Sequence, residues 1–488
     1  MARPTQAVEH LLRRAGFGVT PEEAERFSRY TYPMAVAALT EYDPEESDAV
    51  DSKIESDPSR YVRVAVRGQF SPNQVINDAR QRWLFRMVHS PAPLQERMAL
   101  IWHHHFATAY TKIQGVVGTT DATRMMAAKP SEDPGRARGQ LELFRQYALG
   151  NFRELLVEVA KDPAMLVWLD GDQNFKEKPQ ENFGRELMEL FTFGVEHYVE
   201  TDVYAAARVF TGWNRARIGV NGAASAYYAF NYNAARHDTN AKDFSFPIYP
   251  NGSKRIEARS AATGMQDGLD LINALAIHPE TAKRLARRLW TWFVSEVDQP
   301  DEDFVRNISD VYLKNDTNMK PVVRAVLFSP QFLASDRPYQ RYSWPVEFVV
   351  RTMKEVGYVG FSVDTAMTPL LNMGQQLFEP PDVNGWELGP GWFSTGGMLA
   401  RMNFAATLAT NQRVALRDKA RVARTTPEDL LSFVLESLSM PEPTGDPRNA
   451  LLDYVRAGGT WTGSDTQLLN KTGGLVHLLT GSGSYQLV

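Results

Sequence analysis

The sequence predicts a mainly α protein: a large multi-helix single domain with a small β-hairpin excursion near 215–232. Apolar residues recur at three- and four-residue spacing in stretch after stretch, the period that lines one face of a helix. Helix-start signals stand at both ends of the chain: Thr20-Pro21-Glu22-Glu23 and Thr426-Pro427-Glu428-Asp429 each join a capping residue, a proline at the first helical position and acids in the first turn. One strand-like segment stands out. Ile218-Gly219-Val220-Asn221-Gly222 offers an Asn-Gly turn, and Tyr228, Phe230 and Tyr232 then alternate along one face.

Taken in order, residues 42–60 are acidic, poor in large apolar groups and read as a surface loop. Helical spacing covers 81–90 and 94–112. The stretch 128–138, AKPSEDPGRAR, is rich in Pro, Gly and charge and reads as a second loop. Helices follow at 140–160, 182–193 and 202–212, and after the hairpin at 268–277, 281–294, 303–314, 320–328, 345–356 and 397–411. No internal repeat at solenoid spacing occurs, and neither loop is long enough for a clear linker. The expected division is a main helical domain over 1–412 and a helical tail, 413–488, packed on it.

The composition narrows the function classes. With 488 residues, 43% hydrophobic and 23% charged, the chain is ordinary for a globular protein. A net charge of -5 argues against electrostatic binding of nucleic acid. No apolar run approaches the roughly 18 residues of a membrane span. The first residues, MARPTQAVEHLLRRAGFG, lack the apolar core of a secretory signal. The absence of cysteine excludes disulfides, thiolate nucleophiles and Cys-ligated metals. A divalent cation held by His, Asp and Glu is the cofactor the composition leaves open.

The densest chemistry lies between Glu181 and Asn214. On a helix over 182–193, Asn182, Arg185, Glu186 and Glu189 share an arc of about 120°. A solvated face with an Arg185–Glu189 pair explains that arc blandly. A cleft shared with Asp170, Asp172, His105 and His237 explains it functionally: one carboxyl held protonated and one ionised suit glycosidic hydrolysis, and oxygens with imidazoles suit a hard cation. Trp102-His103-His104-His105-Phe106 lies upstream. A regular helix turns His105 to the core stripe of Leu94, Met98 and Ile101 and His103 to roughly the opposite side. Ligands at i and i+2 cannot reach one ion from such a helix, so His105 reads either as a hydrogen-bonded core residue or as a base or ligand. His237-Asp238 stands in a polar loop, open to a functional role or to an Asx turn. Asp202 has a local explanation at a helix start.

Residues 374–393 set Phe378, Trp386, Trp392 and Phe393 among glycines and a double proline. Such a loop can stack on sugar faces or plug its tryptophans into the core, and plugging is the more frequent use. Catalysis by Glu186, Glu189, Asp170 and His105, with Arg185, Asn182, His237, Asp238, Trp386 and Trp392 binding substrate, is the expectation carried forward. It makes the protein a hydrolase-like enzyme on a polar polymer, a carbohydrate. The alternative is a non-catalytic helical scaffold in which the same polar residues fix helix packing. A metal-dependent oxidoreductase is disfavoured, because no Glu-x-x-His pair accompanies these helices.

These motifs together resemble a bacterial family, domain of unknown function 1800. The resemblance runs from His10-Leu11-Leu12-Arg13-Arg14-Ala15-Gly16-Phe17-Gly18 through WHHHF, Glu181–Trp213 and His237-Asp238-Thr239. It continues through Leu377-Phe378-Glu379-Pro380-Pro381 and Gly385-Trp386 to Ser484-Tyr485-Gln486-Leu487. It supplies no catalytic residues. It implies, by association, export from the cytoplasm and a sulfatase-like protein partner. The family pattern usually carries Asn where His104 stands, Asn at Gly171 and Ala at Asn384, and the first departure speaks against His104 as a working histidine.

Overall fold

The computed structural model describes residues 3–64, 69–220, 225–357, 362–411 and 415–488. It is 62% helical, and its named strands form two two-stranded antiparallel sheets, so the fold is mainly α with one hairpin. A contiguous apolar cluster runs from Val8 to Tyr485. Both capping sequences start helices as the sequence predicts. Thr20 and Glu23 exchange hydrogen bonds at the head of Pro21–Phe27, and Thr426 and Asp429 do so at Pro427–Ser437.

At the centre stands the helix Pro93–His105, every residue of which is buried. Its apolar stripe packs inward, as the 100° wheel predicts, but its polar side is enclosed too. A helix buried all round must satisfy its polar groups internally. Glu96 accepts from Arg145 Nε at 2.8 Å, Arg97 pairs with Glu347, and Gln95 Oε1 accepts from Ser47 at 2.5 Å. This helix stops earlier than the predicted 94–112. Thr108 Oγ1 donates to the Phe106 carbonyl and the Tyr110 amide donates to Phe378, which turns the chain into a separate helix, Tyr110–Val117.

Three further segments differ from their periodicity. The predicted 140–160 is two helices, Gln140–Gln146 and Phe152–Lys161, because Asn151 caps the second by accepting from the Glu154 amide. Helix 182–193 is α only over Asn182–Glu186 and widens to a π turn over Leu187–Phe191; 281–294 likewise ends in a π turn over Trp290–Val294. The acidic stretch 42–60 is not a loop. It forms short helices, Pro44–Ala49, Asp51–Ser56 and Pro58–Tyr61, held by the buried side chains of Asp51 and Ile54.

The hairpin pairs Trp213–Ile218 (β1) with Tyr227–Tyr232 (β2), in a register from Trp213 opposite Tyr232 to Ile218 opposite Tyr227. The expected Asn221-Gly222 turn lies outside the described residues. At the carboxyl end, Arg341 and Val488 exchange backbone hydrogen bonds, Ser343 donates to Gln486, and buried Tyr485 donates to Glu355 at 2.6 Å. The end of the chain is thereby strapped to the segment entering the helix Pro345–Glu355.

Candidate functional site

The site grows from the π turn after Glu186. Gly184 lets the helix Asn182–Glu186 press onto Glu200–Val209: a Cβ there would lie 2.8 Å from that of Ala206. The widened turn Leu187–Phe191 needs partners for its carbonyls. Thr192 Oγ1 donates to Leu187 at 2.6 Å, and the Gly194 amide donates to Met188 at 2.9 Å. The Phe191 carbonyl is met by His105 Nε2 at 3.1 Å. A carbonyl only accepts, so Nε2 carries the proton and the buried Nδ1 is left without a partner.

Glu186 and Glu189 stand one turn apart on the partly buried side of this segment. Glu189 accepts from the Tyr198 hydroxyl at 2.6 Å. Glu186 makes no side-chain hydrogen bond or ion pair with a described residue. Desolvation and the Glu189 charge push its carboxyl up to about 7. The predicted Arg185–Glu189 pair does not form. Arg185 turns instead to Glu181 at 3.2 Å and Glu200 at 2.6 Å, because the π turn breaks the i,i+4 register that would have joined it to Glu189.

Arg284 and Arg288, on the helix Pro279–Leu289, bring positive charge to the same place. Arg284 Nη2 donates to the Leu190 carbonyl at 3.3 Å, and Glu189 acts on its charge. Arg288 has no hydrogen bond or ion pair with a described residue; burial and the Arg284 charge lower it to about 9. Burial, with the Arg288 and Arg284 charges, drives His105 well below the usual histidine range and keeps it neutral.

The remaining predicted residues lie apart from this cluster in their bonding. Asp170, in the left-handed conformation at φ 57°, accepts from Lys112 and from Asn182 Nδ2, each at 2.9 Å. Asp172 pairs with Arg215 at 2.9 Å. His237 is 1% exposed. Its Nδ1 donates to the Thr211 carbonyl at 2.8 Å, and its Nε2 stands 3.3 Å from Asp267, which also holds Lys242 and Arg259. Asp238 accepts from the Asn240 amide in an Asx turn and takes a two-nitrogen contact from Arg208. Asp202 accepts from the Val199 amide and from Ser245.

Trp386 and Trp392 are 3% and 6% exposed, so neither offers a ring face to solvent. The loop is fastened by the other two histidines. His103 Nε2 accepts from the Phe378 amide at 3.1 Å and His104 Nδ1 from the Trp386 amide at 3.2 Å. Trp386 stacks near-parallel over His104, with ring centroids 6.4 Å apart. Gly385 makes this approach attainable: its φ is +83°, and a Cβ would come within 2.6 Å of the His104 carbonyl oxygen. Gly385→Ala is expected to cost about 1–3 kcal/mol of stability, read by urea denaturation; an unchanged midpoint would contradict this packing.

Among the described residues, no group of three or more His, Asp or Glu is placed to hold a metal ion. No helix is long and apolar enough to cross a membrane. Sequence reasoning missed Tyr198, Arg284 and Arg288. The i,i+4 spacing of the two arginines was visible, but nothing in the sequence ties them to residues almost a hundred positions earlier.

Fold and site together define a helical protein with a carboxylate pair and a guanidinium pair gathered round one π turn. The chain belongs to the family described as "Protein of unknown function (DUF1800)", whose model matches residues 10–487. No curated protein and no solved structure matches it.

Proposed function

We propose that the protein is a hydrolase acting on a polar polymer, a carbohydrate, with Glu186 as general acid and Glu189 as the second carboxylate. One observation carries this reading: Glu186 is a partly buried carboxyl with no hydrogen bond or ion pair among the described residues, one turn from another carboxylate whose charge acts on it. An unpartnered, desolvated acid next to a like charge is costly to stability and suits proton delivery to a leaving oxygen at neutral pH. Glu189, oriented by the Tyr198 hydroxyl, supplies the second carboxylate that such a reaction uses. His105 fits a positioning role, since it fastens the carbonyl at the end of the turn that follows Glu186 and carries Glu189.

The test is release of reducing ends from a panel of polysaccharides. Glu186→Gln is expected to lower turnover about 10²–10⁴-fold. Wild-type activity should fall above pH about 7, as Glu186 loses its proton. Turnover of an identified polysaccharide that survives the substitution would remove the mechanism.

A second reading is favoured by the buried state of His105, His237 and Trp386. In it the protein is a non-catalytic helical scaffold or the partner of an exported sulfatase-like protein, and the polar residues hold helices together. A thermal melt of Glu186→Gln separates the two. The catalytic reading expects an unchanged or higher melting temperature, because an unpaired acid is removed. The scaffold reading expects a lower one.

A further inference from the structure

We infer that Arg284 and Arg288 form an anion subsite beside the Glu186–Glu189 pair, so that the polymer this site accepts carries an oxyanion on its sugar, the carboxylate of a uronic acid or a sulfate ester. The inference deepens the hydrolase reading and takes its place on the polymer from it.

Three observations carry it. First, the two guanidiniums stand at i and i+4 on the helix Pro279–Leu289 and therefore share one face. Like charges in that relation repel, and Arg288 has neither hydrogen bond nor ion pair with a described residue to offset the repulsion. Second, Arg288 differs from the enclosed arginines of the fold. Arg86, Arg97, Arg145, Arg341 and Arg351, all buried, each meet a carboxylate, and Arg14 meets three backbone carbonyls. Arg288 is only partly buried, so solvent and ligand reach it. Third, Arg284 is tied to the catalytic segment itself: it donates to the Leu190 carbonyl, and a Cβ on Gly194 would lie 3.0 Å from its Nη1. An anion drawn to this pair is therefore held next to the turn that follows Glu186 and carries Glu189.

Planar guanidinium forks grip carboxylate and sulfate oxygens with two parallel hydrogen bonds. A desolvated fork without a counter-ion gains more from such a bond than one already paired. The chain as a whole carries a net charge of -5, so its overall field repels a polyanion. Binding of one therefore requires a local cationic site.

The experiment is affinity electrophoresis in gels holding polygalacturonate, dextran sulfate or uncharged dextran. It compares wild type with Arg288→Gln, Glu186→Gln and the exposed control Arg255→Gln. Arg288 has no partner to lose among the described residues, so its substitution is expected to leave the fold intact, which a thermal melt checks. The expected result is retardation of wild type by at least one polyanion over dextran, weakened about tenfold or more in Arg288→Gln and unchanged in Arg255→Gln. The polyanion bound more tightly then identifies the group as carboxylate or sulfate. Equal retardation of wild type and Arg288→Gln, or no preference for either polyanion over dextran, overturns the subsite. Glu186→Gln keeps the two readings apart: retained binding with lost cleavage supports both, while cleavage of a neutral polymer without polyanion binding leaves the acid–base pair standing and removes the subsite.

Discussion

Arg86→Met is expected to lower the free energy of unfolding by about 3–5 kcal/mol. Arg86 is fully enclosed and donates from Nε and Nη2 to both oxygens of Asp51, at 2.9 and 2.6 Å, while its Nη1 donates to Glu142 at 2.6 Å. Arg145 continues the chain of charges from Glu142 to Glu96. Removing the central cation leaves two carboxylates without their main partner in a place water does not reach, and stranding a buried charge costs far more than an exposed pair contributes. Replacing the whole triad, Asp51→Asn with Arg86→Met and Glu142→Gln, is expected to cost less than the single change, because both acids go with their cation while Lys129 and Arg145, which also touch them, keep Glu55 and Glu96.

The pH dependence follows from the same contacts. Burial opposes ionisation of both acids, but Arg86 and its cationic neighbours outweigh it, holding Asp51 well below the usual carboxylate range and Glu142 at about 2. Acids with depressed native values contribute stability that is complete above the unfolded value near 4 and is lost as pH falls toward 2. Burial raises Glu96, which works in the opposite direction. Urea unfolding at pH 7 and pH 3 should therefore show the gap between wild type and Arg86→Met narrowing in acid. A gap that stays constant, or a single variant as stable as wild type, would mean that Arg86 is not what holds these acids.

Helix positions were legible where burial is one-sided. The helix Glu302–Lys314 buries Phe304, Val305, Ile308 and Tyr312 at the spacing a wheel predicts and leaves its other face to solvent. The wheel fails on Pro93–His105, because a helix enclosed on every side keeps charged residues that only partners far along the chain can satisfy. Glu347 lies 250 positions from Arg97, and no local pattern announces it. The same cause hid most of the site. Glu186 and Glu189 were visible as a pair at i and i+3, but the π turn that carries Glu189 leaves no mark in the periodicity. His237 shows the converse. Its loop setting left a functional role open, yet Asp267, Lys242 and Arg259 gather round it from residues that follow it in sequence. Trp386 and Trp392 plug the core, the more frequent of the two uses open to such a loop.

Asp162→Asn is expected to change stability in a strongly pH-dependent way. Asp162 caps the helix Pro163–Trp168 by accepting from the Met165 amide at 3.1 Å and also accepts from Gln140 Nε2 at 2.7 Å. Among the described residues no cation forms an ion pair with it, and burial outweighs the more distant Arg138 charge and pushes its carboxyl up to about 7. Here the native value lies above the unfolded one near 4, the reverse of Asp51. Between pH about 4 and 7 the folded chain binds a proton that the unfolded chain has released, so stability falls as pH rises through that window. A native value of about 7 against an unfolded one near 4 corresponds to roughly 4 kcal/mol, all of it lost by pH 8. An amide keeps the oxygen that caps the helix and cannot ionise. Relative to wild type, Asp162→Asn should therefore gain stability progressively from pH 5 to pH 8. Comparing the two proteins by urea unfolding at both values cancels the contribution of every other titrating group. Equal differences at the two pH values would show that Asp162 does not carry its proton into neutral solution, and the burial argument for this residue would fall.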